Sequence, residues 1–214
     1  MKKIFKILIP VCIIILVIIL FVVYSNFNNS NYYGKWTLKN KYIEGKFSDV
    51  KINSIESALN SLEDVKDQIG IESVQEELVA SDRNNVNLIE ENNYFYFDQL
   101  YKGIKVYDGG MIVRSDIDGN AKGIINNCMI IEDLSIKPKY SQEKIKNILV
   151  DNYGYDVEYI KPELIVFCHE DNTCELAYYC KYDNGEDAFN FEDEYIVSAN
   201  TVEIIDKISN VVFN

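Results

Sequence analysis

Hydrophobic positions divide this chain into one long apolar block and a series of short periodic ones. The block is Ile7 to Val23, seventeen residues without a charge behind Lys2, Lys3 and Lys6. At ~1.5 Å rise per residue it reaches roughly 25 Å as a helix, enough to cross a bilayer with some thinning or snorkelling at its ends. No charge follows until Lys35, so the positive-inside bias holds the N-terminus in the cytoplasm and sends everything from about Asn26 outside. The alternative is a cleaved signal peptide with Val23-Tyr24-Ser25 as its small-residue site, although a signal core usually holds only ~7–15 apolar residues. Most of the run follows Cys12, which sets aside lipid attachment there. Residues 1–25 are therefore read as a transmembrane signal anchor. Residues 26–50, opening on the Asn-rich spacer Asn26 to Asn31, are linker and lead-in.

The pattern then changes to that of a one-faced helix. Ile52, Ile55, Leu59, Leu62, Val65 and Ile69 recur every three to four residues. Asn53 with Glu56 supplies a capping box and Gly70 a stop. Strand chemistry follows: Tyr94 to Tyr101 is aromatic-rich, Lys102-Gly103 is a turn, and Met111 to Ser115 favours strand. Asp118-Gly119 is a hairpin signal leading into Ala121 to Met129. Ser141 caps a second helix to about Asn152, with Ile145, Ile148 and Leu149 inward and Gly154 beyond. A hairpin of Leu164–Cys168 with Cys174–Tyr182 comes next, then strands near Tyr195–Ser198 and Val202–Ile208. Helix, antiparallel strands, helix, antiparallel strands is an α+β order. It predicts two tandem helix-plus-antiparallel-sheet modules, at 51–135 and 136–214.

Charge narrows the partners. The chain carries 21 basic and 34 acidic residues, a net −13, and the balance beyond residue 24 is −16. Such a surface is repelled by phosphate backbones and anionic headgroups, which argues against nucleic acid; a basic protein surface, a cationic peptide or Ca²⁺ suits it better. The usage of Ile, Asn, Lys and Tyr resembles that of low-GC Gram-positive bacteria. Cys128, Cys168, Cys174 and Cys180 lie beyond the apolar block, in a compartment that permits disulfides. Cys168 and Cys174 flank the loop His169 to Thr173, and two readings stand: a disulfide across a hairpin, or two small apolar strand residues. Cys180 shares strand parity with Cys174, Leu176 and Tyr178 and is read as core.

Catalytic chemistry is scarce. His169 is the only histidine, whereas a zinc-protease helix needs two, one turn apart. It is read as an exposed turn residue, and a Ser-His-Asp or Cys-His set would have to use it. Asp116 to Asn120 departs from a calcium loop, because Gly119 is fourth and Asn127 stands where the bidentate Glu belongs. Glu186-Asp187 and Glu192-Asp193-Glu194 are read as a solvated acidic face. No catalytic residue, metal site or cofactor is assigned, and the chain is read as a non-enzyme.

One stretch resembles a known module. The aromatic run Tyr94-Phe95-Tyr96-Phe97, the spaced Gln99, Tyr101, Gly103, Ile104 and Val106, and then Tyr107 and Gly109 are similar to the signature of the fungalysin/thermolysin propeptide module. The helix with Ala58, Leu59 and Leu62, ending in Ile69-Gly70-Ile71, fits its lead-in. Downstream, Pro162 to Val166, Leu176-Ala177-Tyr178 and Tyr195 to Ile205 resemble the PepSY module, so the likeness runs from Ile52 to Val212. Two residues depart from the family pattern: Ser198 stands where it has Asp, and Val202 where it has a turn glycine. A β-branched residue is strained at positive φ, so either Asn200 takes that conformation or the turn differs. A third departure is larger: no zinc catalytic domain follows these modules in the sequence.

In the family the pro-region assists folding of the catalytic domain and covers its cleft. The resemblance implies a membrane-anchored extracellular protein that binds a secreted zinc metalloprotease as inhibitor or folding assistant. Gln99, Tyr101, Gly103, Val106 and Gly109 are the partner-binding positions carried over from the motif. The alternatives are an envelope sensor or scaffold that binds a wall or envelope component, and the remnant of a full-length metalloprotease.

Overall fold

Sheet dominates because most of the chain alternates β-branched and aromatic residues with polar ones, and only two segments carry a helical period. The computed structural model describes residues 32–85, 92–182 and 189–213. The anchor expected at 7–23 lies outside these. Among the described residues no helix is long and apolar enough to cross a membrane.

Eleven strands form one sheet. They are β1 (Tyr33–Leu38), β2 (Tyr42–Glu44), β3 (Leu78–Ala80), β4 (Asn92–Tyr101), β5 (Ile104–Asp116), β6 (Ala121–Asn126), β7 (Met129–Glu132), β8 (Ile160–Cys168), β9 (Thr173–Tyr182), β10 (Phe189–Ser198) and β11 (Ile204–Phe213). The main path runs β11-β10-β9-β8-β5-β4-β3, with β6 joining β5 to β2. β1 and β2 fall in the stretch read as linker. β1 is no spacer: it pairs antiparallel with β7 on one edge and β9 on the other. The two halves also meet where β5 and β8 run parallel at Lys105–Ile165 and Val106–Val166. Each half keeps its own buried cluster. Ile52, Leu62, Ile69, Phe97 and Ile124 centre one; Ile145, Leu149, Ile160, Leu176 and Tyr195 centre the other.

The first helix differs from its expected form. The segment Ile52 to Ile69 is broken into α1 (Ile55–Ser61), a 3₁₀ turn (Leu62–Val65) and α2 (Lys66–Ile69). The apolar period survives the break, since Leu62, Val65 and Ile69 all stay in the core. Ile52 itself is outside the helix, its N–H bonded to Gly119 O at 2.8 Å. The capping box uses Ser54 and Ser57, not Asn53 and Glu56. Gly70 stops the segment as expected, at φ 79°, with Ile71 N–H returning to Lys66 O. A further short helix, α3 (Val74–Glu77), leads into β3. The second long helix, α4 (Gln142–Tyr153), has Ser141 as N-cap and Gly154 at φ 71°, with Ile145 and Leu149 buried.

The closing hairpin resolves the question posed by Val202. Val202 itself takes the left-handed conformation, at φ 64°. Its N–H bonds Ser198 O at 3.1 Å and its side chain packs on the second core, which holds the residue there against the usual steric cost.

Gly34 is where β1 enters the sheet. A Cβ there would sit 2.5 Å from Glu132 O, 2.8 Å from Leu134 Cβ and 3.0 Å from Cys174 Sγ. Backbone and core lie on both sides, so neither neighbour can yield cheaply. Gly34→Ala is therefore expected to cost about 1–3 kcal/mol, the range for overpacking. A fall in the thermal midpoint of the full chain checks it; an unchanged midpoint would show that β1 is not seated as described.

Candidate functional site

The motif Gln99-x-Tyr101-x-Gly103 lies on the β4–β5 hairpin. Lys102 and Gly103 make its two-residue turn, both at positive φ (49° and 83°), the primed geometry that suits strand twist. The ladder between β4 and β5 shifts register between Asp98 and Leu100, leaving Gln99 unpaired with β5. The bulge lies in β5, where residues 106–109 stand opposite this single β4 position. The Gln99 amide turns sideways to β7, donating to Met129 O at 2.6 Å and accepting from Met129 N–H at 2.7 Å.

The rest of the motif follows from this bulge. A Cβ on Gly109 would lie 2.9 Å from Gln99 Oε1 and 2.8 Å from Val106 Cβ, and one on Gly110 would collide with Phe97 O. Gln99 and Gly109 are therefore a steric pair. Gln99 and Val106 are buried, at 3% and 0% exposure. Gly109 is buried too. Of the five motif positions expected to meet a partner, these three also build the hairpin, and Gln99 lines the groove beside it. Tyr101 and Gly103 are placed differently. Tyr101 is half-buried, with its hydroxyl on Leu134 O at 3.2 Å, and Gly103 is exposed at the tip.

Tyr101 and Gly103 line an open groove of about 560 Å³ whose other walls are α3 with its lead-in and the outer edge of β7. Glu77 closes the lead-in by accepting Glu72 N–H and Ser73 N–H, each at 2.8 Å. Glu72 and Glu76 also line the groove, are exposed, and have no ion pair among the described residues. On β7, residues alternate in which edge their backbone groups face. Trp36 N–H points to β9, bonding Asn172 O at 3.1 Å, so its opposite number Ile131 turns its own groups away from β1. Gln99 occupies that outer edge at Met129; Ile131, two residues on, presents its N–H and C=O towards the groove. The arrangement suits recognition of an extended, cationic segment, since it combines an open strand edge with two uncommitted carboxylates. Sequence reading missed Glu72 and Glu76 because acids on a short helix look like any solvated face.

A second polar cluster surrounds Glu175, which is 4% exposed. Ser198 donates its hydroxyl to one carboxylate oxygen, His169 Nε2 meets the other at 3.0 Å, and Asn200 Nδ2 reaches the first at 3.5 Å. His169 is thus half-buried and partnered, not the exposed turn residue expected. Serine and histidine contact opposite oxygens of the acid, so the histidine does not stand between them as a base would. Ser198 Oγ also accepts Asn200 N–H and Thr201 N–H at 3.2 Å each, capping the turn after β10. Among the described residues no group of three His, Cys, Asp or Glu side chains is placed to hold a metal ion.

One comparison with known proteins assigns part of the chain. Residues 76–127 match the fungalysin/thermolysin propeptide motif, the stretch that holds the hairpin and the last two residues of α3. No curated protein matches the chain. Among solved structures, the Bacillus megaterium YpeB C-terminal domain aligns at 17% identity and TM-score 0.39, over 82% of this chain and 71% of that one. An uncharacterized protein from Eubacterium rectale aligns at 13% identity and TM-score 0.35, over 70% of this chain and 53% of its own length.

Two substitutions probe these sites. Gln99→Leu leaves Met129 N–H and C=O without their partner and is expected to cost about 1–3 kcal/mol in denaturant unfolding. Ser198→Asp sets a second carboxylate against Glu175 and is expected to cost about 2 kcal/mol or more at neutral pH. Adding Glu175→Gln should restore most of that loss; if it does not, the two positions are not coupled.

Proposed function

We propose that this protein is a non-enzymatic, propeptide-like binder of a secreted zinc metalloprotease, acting as inhibitor or folding assistant. In this reading residues 7–23 anchor it in the membrane with the rest outside the cell. Residues 51–135 form the propeptide module and 136–214 a PepSY-like module. The supporting observation is that the matched motif, residues 76–127, ends its hairpin on an open acidic groove. A matched motif that folds into a hairpin beside an open groove favours binding. The net charge of −13 adds long-range attraction for a basic patch on a partner. Sharing one membrane surface with the partner would raise its effective concentration.

Titration of a secreted zinc metalloprotease from the same bacterium with the full chain tests the proposal. Protease activity, or the yield of refolded active protease, should change saturably with added chain. Tyr101→Ala, and Glu72→Gln with Glu76→Gln, should each weaken the effect by about tenfold or more if they sit at the centre of the contact. The charge variants should also flatten its salt dependence. Activity and refolding yield both untouched, with binding to purified cell wall instead, would replace this reading by the envelope sensor.

A further inference from the structure

Two thiols stand face to face at the end of the β8–β9 hairpin. Cys168 and Cys174 are direct partners in the antiparallel register. The adjacent pair is the hydrogen-bonded one, with His169 N–H on Thr173 O at 2.8 Å. Cys168 and Cys174 therefore occupy the neighbouring non-hydrogen-bonded position. There the Cα atoms approach to ~4.5 Å and the side chains share a face, inside the ~4.4–6.8 Å range that a disulfide spans. Both are free thiols here. Among the described residues neither has another cysteine to choose. Cys180 is six residues further along β9, ~20 Å away at ~3.3 Å per residue, and Cys128 belongs to the other core.

We propose that Cys168 and Cys174 are a dithiol that oxidises to a cross-strand disulfide and so locks the hairpin on which β1 is seated. The ring closed by this bond contains the loop that holds β1. Within it His169 O accepts Trp36 Nε1–H at 2.9 Å and Asn172 O accepts Trp36 N–H at 3.1 Å. Gly34 lies directly opposite Cys174, and its missing side chain leaves room for the sulfur. The oxidant is a small-molecule or protein disulfide. Cys168, the half-exposed member, attacks it and releases one thiol; Cys174 then attacks the mixed disulfide and releases the second. One S–S bond breaks in the oxidant and one forms in the hairpin. The two electrons and two protons leave on the released thiols.

The test uses the full chain and oxidised glutathione as probe, with Trp36, the sole tryptophan, as an internal reporter. Two of the five thiols should resist alkylation after denaturation, and peptide mapping should place the loss at Cys168 and Cys174. The mass should fall by two hydrogens, and the Trp36 emission transition on heating should rise by about 5 °C. Dithiothreitol should reverse all of it. The Cys168→Ser variant should show none of the shift, and the oxidised and reduced forms of the unaltered chain decide the matter if that variant does not fold. Five alkylatable thiols after treatment, a bond to Cys180 or between chains, or a bond that leaves the transition unmoved would each overturn the proposal.

Discussion

Two hydrogen bonds between the Gln99 amide and the Met129 backbone tie the propeptide-like hairpin to β7, in addition to its backbone ladders with β3, β6 and β8. An amide side chain offers one donor and one acceptor, the same pair that a strand residue offers to its neighbour. Gln99 thus stands in for a strand at one position of β7 and leaves the next position open. Several features follow from that substitution. β5 bulges at residues 106–109 opposite Gln99, glycines at 109 and 110 make room for the Gln99 side chain and the Phe97 carbonyl, and the hairpin tip projects beyond the ladder. The groove beside Tyr101 is the space left over where Gln99 ends the edge.

The second half obeys a different constraint, the burial of one carboxylate. Glu175 is covered on all sides, and Ser198, Asn200 and His169 are turned towards it. A charge removed from water needs such partners to be tolerated. Here the donors also shape the turn after β10, where Ser198 caps two backbone N–H groups. The network therefore serves folding, and its geometry withholds the serine–base contact that hydrolysis needs.

Much of this was legible in residue patterns, and the limits have physical reasons. Helix α4 was readable at both ends because its caps, Ser141 and Gly154, act through local backbone geometry. The Lys102-Gly103 turn was readable for the same reason. The break in the first helix was not, since periodicity reports which face is buried and not which carbonyl each N–H reaches. β1 was hidden because Tyr33 to Leu38 has no clean alternation and is held by two edges that are distant in sequence. The parallel contact between β5 and β8 joins only two residue pairs, too few to mark either strand. Among the motif residues, resemblance to the propeptide signature placed Gln99 and Gly109 together. Their steric pairing, and hence their structural role, needed coordinates. Val202 shows the converse: sequence flagged the strain, and packing explained how it is borne.

The most direct test of the account is hydrogen exchange of the full chain with and without a secreted zinc metalloprotease. A partner laid in the groove should slow exchange at Tyr101 to Ile104 and at Ile131, whose N–H faces open space in the free protein. Protection confined to β10 and β11, with the groove exchanging as before, would contradict it.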